Sequence, residues 1–154
     1  MVRKVEKILA IDQGNESGFA VKVGDRVTWG SRSFKHYHDN AARWFAFHGW
    51  FSDLILENEP KVIAYEKPFF RGKASMQLYG YAVLIEMIAH IYETPCLEVH
   101  GASIKKHAGI KTGKPIQEAQ HKWGHIANVT NDHEADALWL MDYVSQNAEY
   151  VDGK

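Results

Sequence analysis

A single cysteine, Cys96, stands in a chain of 154 residues, so no internal disulfide framework can brace it. Proline is scarce, and no linker, low-complexity stretch or internal repeat interrupts the chain. No run of about 18 uncharged apolar residues occurs, so no membrane span is expected. The opening MVRKVEKILAIDQG lacks the long apolar run of a secretory leader. A cytoplasmic protein is therefore expected. Net charge is almost absent too, at −1, which taken alone argues against a nucleic-acid partner, because phosphate contacts draw on Lys and Arg.

What is present suits one domain, residues 1–154, with a real core: 45% of the residues are hydrophobic. The charge is unevenly spread. Met1 to Glu66 is neutral, Lys67 to His125 carries +4 and Ile126 to Lys154 carries −5. The middle segment can face a polyanion, although basic loops are often only solvated surface.

Hydrophobic periodicity orders the chain. Lys7 to Asp12 reads as a buried strand, Phe19 to Val23 as an alternating one, and Arg26 to Ser31 as a third after the turn at Gly24-Asp25, which makes an antiparallel meander. Trp44, Phe47, Phe51, Leu54 and Ile55 recur at helical spacing between Asp39 and Asn58. A strand at Val62 to Glu66, a helix from about Ala74 to Tyr92 and a strand at Cys96 to Val99 follow. Short helices at Ser103 to Ala108 and Ile116 to Trp123 flank a basic, Gly-containing loop, and a last helix runs from about Asp132 to Gln146. That order describes an α/β fold with a mixed sheet flanked by helices, the ribonuclease-H-like arrangement. Most rings of the Trp44 to Phe51 stretch belong to the core, with some left for a dimer contact.

Three acids sit in apolar contexts: Asp12 in KILAIDQG, Glu66 in KVIAYEKP and Asp136 in DHEADALWL. Ionised carboxylates there cost several kcal/mol unless paired or metal-bound, so a positive group is expected between them, magnesium or manganese being the simplest. In the last helix His133 and Asp136, three apart, share a face, as do Asp132 and Asp136, four apart. Asn131 with Glu134 equally fits a helix N-cap and its returning partner, with Asp132 favouring the helix dipole. Zinc is disfavoured: His121 and His125 sit four apart and His36 and His38 flank Tyr37, but structural zinc sites usually contain thiolates and the chain has one cysteine, and HEADA has Ala137 where a zinc protease has its second His.

Four segments in register along nearly the whole chain carry a resemblance. They are D-x-G-x-x-x-G-x-A from Asp12 to Ala20, Glu66 followed three residues later by Phe69, SIKKHAGIKTGK from Ser103 to Lys114, and H-x-x-D-A-L from His133 to Leu138. Together they resemble the RuvC family of Holliday junction resolvases. The resemblance implies a five-stranded ribonuclease-H-like sheet and a catalytic set of Asp12, Glu66, His133 and Asp136. It implies that these hold Mg2+ or Mn2+, two ions per active site, and hydrolyse a phosphodiester to leave 5′-phosphate and 3′-hydroxyl ends. The commonest family pattern has aspartate where this chain has His133. An imidazole suits borderline metals better, so a stronger preference for manganese follows.

The same resemblance implies a homodimer that nicks opposed strands of a four-way junction. For DNA contact it points to Lys105, Lys106, Lys111 and Lys114 on phosphate, and to Phe69 stacking on an unpaired base. Arg71 and Lys73 lie on the same loop as Phe69, whose alternative is a core ring beside Phe70. A divergent, phage-type member would work in the host cytoplasm; a helicase partner is unknown. The rivals are a YqgF-like RNA nuclease, which usually has a basic residue where Asn15 and Glu16 stand, an inactive branched-DNA-binding module, and an actin-like fragment, for which the chain is short.

Overall fold

The structure, a computed structural model, describes residues 2–68, 75–109 and 115–151. In chain order the elements are β1 (Val2–Lys4), β2 (Lys7–Asp12), β3 (Glu16–Val23), β4 (Arg26–Ser33), α1 (Asn40–Asn58), β5 (Val62–Glu66), α2 (Ser75–Ile91), β6 (Cys96–Val99), α3 (Gly101–Ala108), α4 (Pro115–Trp123), α5 (Asp132–Asn147) and β7 (Glu149–Val151). Five strands form one mixed sheet in the order β4-β3-β2-β5-β6. The meander β2-β3-β4 is antiparallel, and β5 and β6 continue it in parallel with β2.

Alternation explains why β2 and β5 occupy the centre. Ile8 and Ala10 of β2 and Val62 and Ala64 of β5 belong to a core shared with Leu138, Leu140, Met141 and Val144 of α5. Leu9, Ile11, Ile63 and Tyr65 point the other way, into a core shared with Phe47 and Phe51 of α1 and Ile85 and Ile88 of α2. A strand apolar on both faces is stable only between two helical layers. The second core is aromatic: Phe47 and Phe51 stack with centroids 5.7 Å apart, and Phe34 and Tyr81 meet Phe47 at 5.8 and 5.1 Å. Phe45 from the same stretch is 82% exposed.

Helix ends are locally specified. Asp39 accepts the Ala42 N–H at 2.7 Å as N-cap of α1, and Glu59 closes that helix in the left-handed region, φ 46°. Glu93, φ 53°, follows α2 in the same way before Pro95. These ends fall within a residue or two of the expected ones.

Two features depart from expectation. The ribbon of β1 with β7, Val2 opposite Val151, was not foreseen, because three-residue strands carry no readable period. And β3 begins at Glu16, three residues before Phe19, so Gly18 is not a turn residue but lies within β3 opposite Asp12. Its reason is steric: a Cβ on Gly18 would collide with the backbone carbonyl of His133. The absent side chain lets the first turn of α5 rest on the β3 backbone. Among the described residues no helix is long and apolar enough to cross a membrane.

Candidate active site

Parallel pairing of β2 with β5, Ile11 opposite Tyr65, brings Asp12 and Glu66 side by side at the ends of adjacent central strands. Helix α5 lies across β2 and β3 and delivers its first turn to the same place. That turn divides its labour. Asn131 Oδ1 accepts the Glu134 N–H at 2.9 Å, and Glu134 Oε1 accepts from both Thr130 N and Thr130 Oγ1 at 2.8 Å. This satisfies orphan donors at the helix start and buries Glu134. The capping reading therefore holds for Asn131 and Glu134, while His133 and Asp136 face the strand ends.

His133 bridges two carboxylates. Its Nδ1–H donates to Asp12 Oδ2 at 2.9 Å and its Nε2–H to Glu16 Oε2 at 3.1 Å. The hydrogen bond to Asp12 is the main reason that the imidazole pKa rises to about 9; burial opposes it and Glu16 adds to it. Glu16 in turn lies 3.2 Å from Lys35 Nζ, which together with His133 holds its carboxyl below the usual range.

The three acids are poorly compensated. The Asp136 pKa is raised to about 7, by burial first and then by Asp12, Glu66 and Asp132, against the pull of His133. Burial also raises Asp12 against the pull of His133, and raises Glu66 with help from Asp12 and against Lys105. A cleft of about 250 Å³ is lined by Asp12, Gln13, Glu66, Lys67, Pro68 and Leu78. Gly101 closes one wall, since a Cβ there would strike Glu66 Oε1.

In architecture the protein is similar to Thermus thermophilus RuvC, with TM-score 0.73 and 16% identity over 93% of this chain and 92% of that one. It is similar also to T. thermophilus RuvC in complex with a Holliday junction substrate, TM-score 0.75 and 14% identity over 96% of each chain. A yeast mitochondrial Holliday junction resolvase aligns at TM-score 0.68 and 12% identity, over 95% of this chain and 80% of that one. The fold is ribonuclease-H-like. No family model matches the chain, and no curated protein matches it in sequence. At these identities the likeness is one of fold.

Within that ribonuclease-H-like frame, the residues expected to form the site fall into two groups. Asp12, Glu66, His133 and Asp136 converge from β2, β5 and α5. Of the residues expected on DNA, Lys105 and Lys106 are exposed on α3, and Lys105 is near enough to Glu66 to draw its pKa down. Phe69, Arg71, Lys73, Lys111 and Lys114 lie outside the described residues. Three participants were missed: Glu16, Lys35 and Gln13, whose Nε2 donates to the Glu66 backbone carbonyl at 2.9 Å. The readable signal for Glu16 was an acid inside the glycine pattern, four residues after Asp12.

Among the described residues no three His, Cys, Asp or Glu side chains are grouped to hold a metal ion as they stand. The chemistry of the donors nevertheless fits a hard divalent cation. Asp12, Glu66 and Asp136 raise or are raised by one another, the signature of negative charge lacking a counter-charge. Gln13 Oε1, a further hard oxygen in the same cleft wall, is buried without a hydrogen-bond partner.

Proposed function

We propose that the protein is a divalent-metal-dependent, structure-selective DNA endonuclease that resolves four-way junctions by paired nicks. The observation that carries this reading is the approach of Asp12, Glu66 and Asp136 from three separate elements into one under-compensated acidic cluster, beside a cleft that Asp12 and Glu66 line, at the centre of a ribonuclease-H-like sheet. Asp12, Glu66, His133 and Asp136 would hold Mg2+ or Mn2+, two ions per site. When bound, such ions supply an activated water and stabilise the leaving 3′ oxygen. The products are 5′-phosphate and 3′-hydroxyl ends.

The chain's own residues supply position and exclusion. Glu134 and Asn131 fix the turn that carries His133 and Asp136. Gly18 sets how near that turn approaches β3. To act as a ligand His133 must give up the proton it shares with Asp12 and Glu16, so cation binding is coupled to proton release. Lys105 stands where a phosphate entering beside Glu66 would meet a cation, and Lys106 follows it on α3; Lys111, Lys114, Arg71 and Lys73 would add phosphate contacts, and Phe69 would stack on an unpaired base.

Two opposed cuts call for two sites, hence a homodimer. Support for one comes from α2, where Met76, Val83, Met87 and Ile91 are 45–70% exposed at spacings of seven, four and four along one face. A contiguous apolar stripe of that length is unusual on a monomer's surface.

The test is a labelled four-way junction and a matched linear duplex, incubated in manganese or magnesium with wild type, Asp12→Asn and Glu66→Gln. Symmetric nicks in the junction alone, lost in both variants, are expected. Tight junction binding with no metal-dependent cutting would favour a binding module instead, a reading that the existing His133–Asp12 ion pair also suits. Neither binding nor cutting would overturn the proposal and direct attention to RNA.

A further inference from the structure

The acidic cleft has basic groups on both flanks, and only one flank was expected. Lys105 approaches from α3, which packs on α5 and begins against Glu66. On the other side, strand β4 and the connection to α1 bring a second group forward. From Arg32 to Arg43 the chain has three basic residues and one acid, Asp39, a local excess hidden inside an N-terminal segment that is neutral on average.

This group is mounted on rigid structure. Phe34 is fully buried, its ring 5.7 Å from Trp50 and 5.8 Å from Phe47, and its N–H donates to the Asn15 carbonyl at 2.6 Å. The residues around it are exposed. Arg32 holds its guanidinium 5.4 Å from the centre of the Phe34 ring. Lys35 reaches Glu16, which touches His133, which touches Asp12, so Lys35 stands at the rim of the acidic cleft. Arg43 braces the segment from α1 by donating to the Lys35 carbonyl at 3.4 Å, and its Nε is buried without a partner. Cations held in place by a buried plug lose little freedom on binding an anion.

We infer that Arg32 and Lys35, braced by Arg43, form a second phosphate-binding shelf, which takes the sugar-phosphate backbone of a duplex arm leaving the cleft on its β4 side. The inference rests on the reading of the protein as a nuclease for branched DNA. Arg32 offers a planar fork to phosphate oxygens, and Lys35 exchanges an exposed, screened pairing with Glu16 for a polyanion. Such contacts fix position and carry no base specificity.

The test measures four-way-junction affinity against salt concentration, without divalent metal, for wild type, Arg32→Gln, Lys35→Gln and Arg26→Gln. Arg26 is an exposed residue at the far end of the same strand, so its variant matches the change in net charge. Arg32→Gln and Lys35→Gln are each expected to lower the slope of log affinity on log salt by about 0.9, whereas Arg26→Gln leaves it unchanged. If wild type binds the junction and all three variants share its slope, the shelf is overturned and the nuclease reading stands. If wild type does not bind the junction, both fall.

Discussion

Helix α5 carries two histidine–carboxylate clusters two turns apart, and they are built on opposite electrostatic plans. At its middle, Asp142 is buried and one oxygen, Oδ2, accepts from both His107 Nε2 of α3 at 2.8 Å and Lys122 Nζ of α4 at 2.9 Å. The Lys122 ammonium also lies over Trp123 and Trp139, 5.1 and 5.5 Å from the ring centres, and His107 meets Tyr143 edge to face. One acid there has two basic partners. At the start of the helix Asp12, Glu66 and Asp136 crowd together, His133 drawing on Asp12 and Asp136 and Lys105 on Glu66, and the balance leaves Asp136 protonating near neutral pH. The first cluster fastens three helices together. The second stores unbalanced charge, which stabilises nothing by itself and, in the function proposed above, would receive a cation. A buried acid next to histidine is thus no indicator of function until the charges around it are balanced.

Breaking each cluster should give opposite signatures. The largest effect is expected from Asp12→Asn, which should lower junction nicking in manganese on the order of a thousandfold, about 4 kcal/mol of barrier, with little change in the urea midpoint. Asp142→Ala should do the reverse. It leaves two basic groups without their buried partner, and about 2–4 kcal/mol of unfolding free energy should be lost in urea titration, with cutting per folded molecule retained. Equal damage to stability from both substitutions would erase the distinction between the clusters.

Asp136→Asn sharpens the comparison through pH. Because the folded-state pKa of Asp136 is raised to about 7 from 3.8, its protonated form is favoured by folding, and the associated stability is present below about pH 3.8 and lost as pH rises through 7. The asparagine variant escapes that loss. In metal-free buffer it should be more stable than wild type by about 1–2 kcal/mol at pH 8, with the difference vanishing near pH 4, as read from thermal or urea unfolding. The same variant should not cut DNA.

The smallest effect is a matter of ions. At pH 7.5 His133 carries its proton, so titrating manganese into wild type should release about one proton more per protein than into His133→Asp, measured with an indicator dye at low buffer. His133→Asp should also raise the ratio of activity in magnesium to that in manganese. An unchanged ratio with unchanged proton release would remove His133 from the ligand set.

Much of this was legible from residue order. Unbroken apolar runs within Lys7 to Asp12 and Val62 to Glu66 announce strands buried on both faces, and the acids that end them announce the cleft. What stayed hidden depends on contacts between residues remote in the chain. Glu16 meets His133 across 117 positions, and Lys122 meets Asp142 across 20, through helix packing that no local period encodes. Gly18 was left outside the strand read from Phe19 to Val23, because a glycine adds nothing to a hydrophobic period. Its actual neighbour is the His133 carbonyl, and only the packed structure brings the two together. The basic residues of β4 escaped notice because summing charge over a long segment averaged them against acids that lie elsewhere.

The contact between Gly18 and the His133 carbonyl also bears on the timing of synthesis. Asp12 leaves the ribosome before Glu66, but neither has its companion until the turn at residues 131–136 has been made and has docked on the waiting hairpin. A chain not yet made as far as that turn therefore holds two acids and no site. The proposed capacity to engage a nucleic acid backbone would arrive in one step, when the helix that completes the cleft also completes the core.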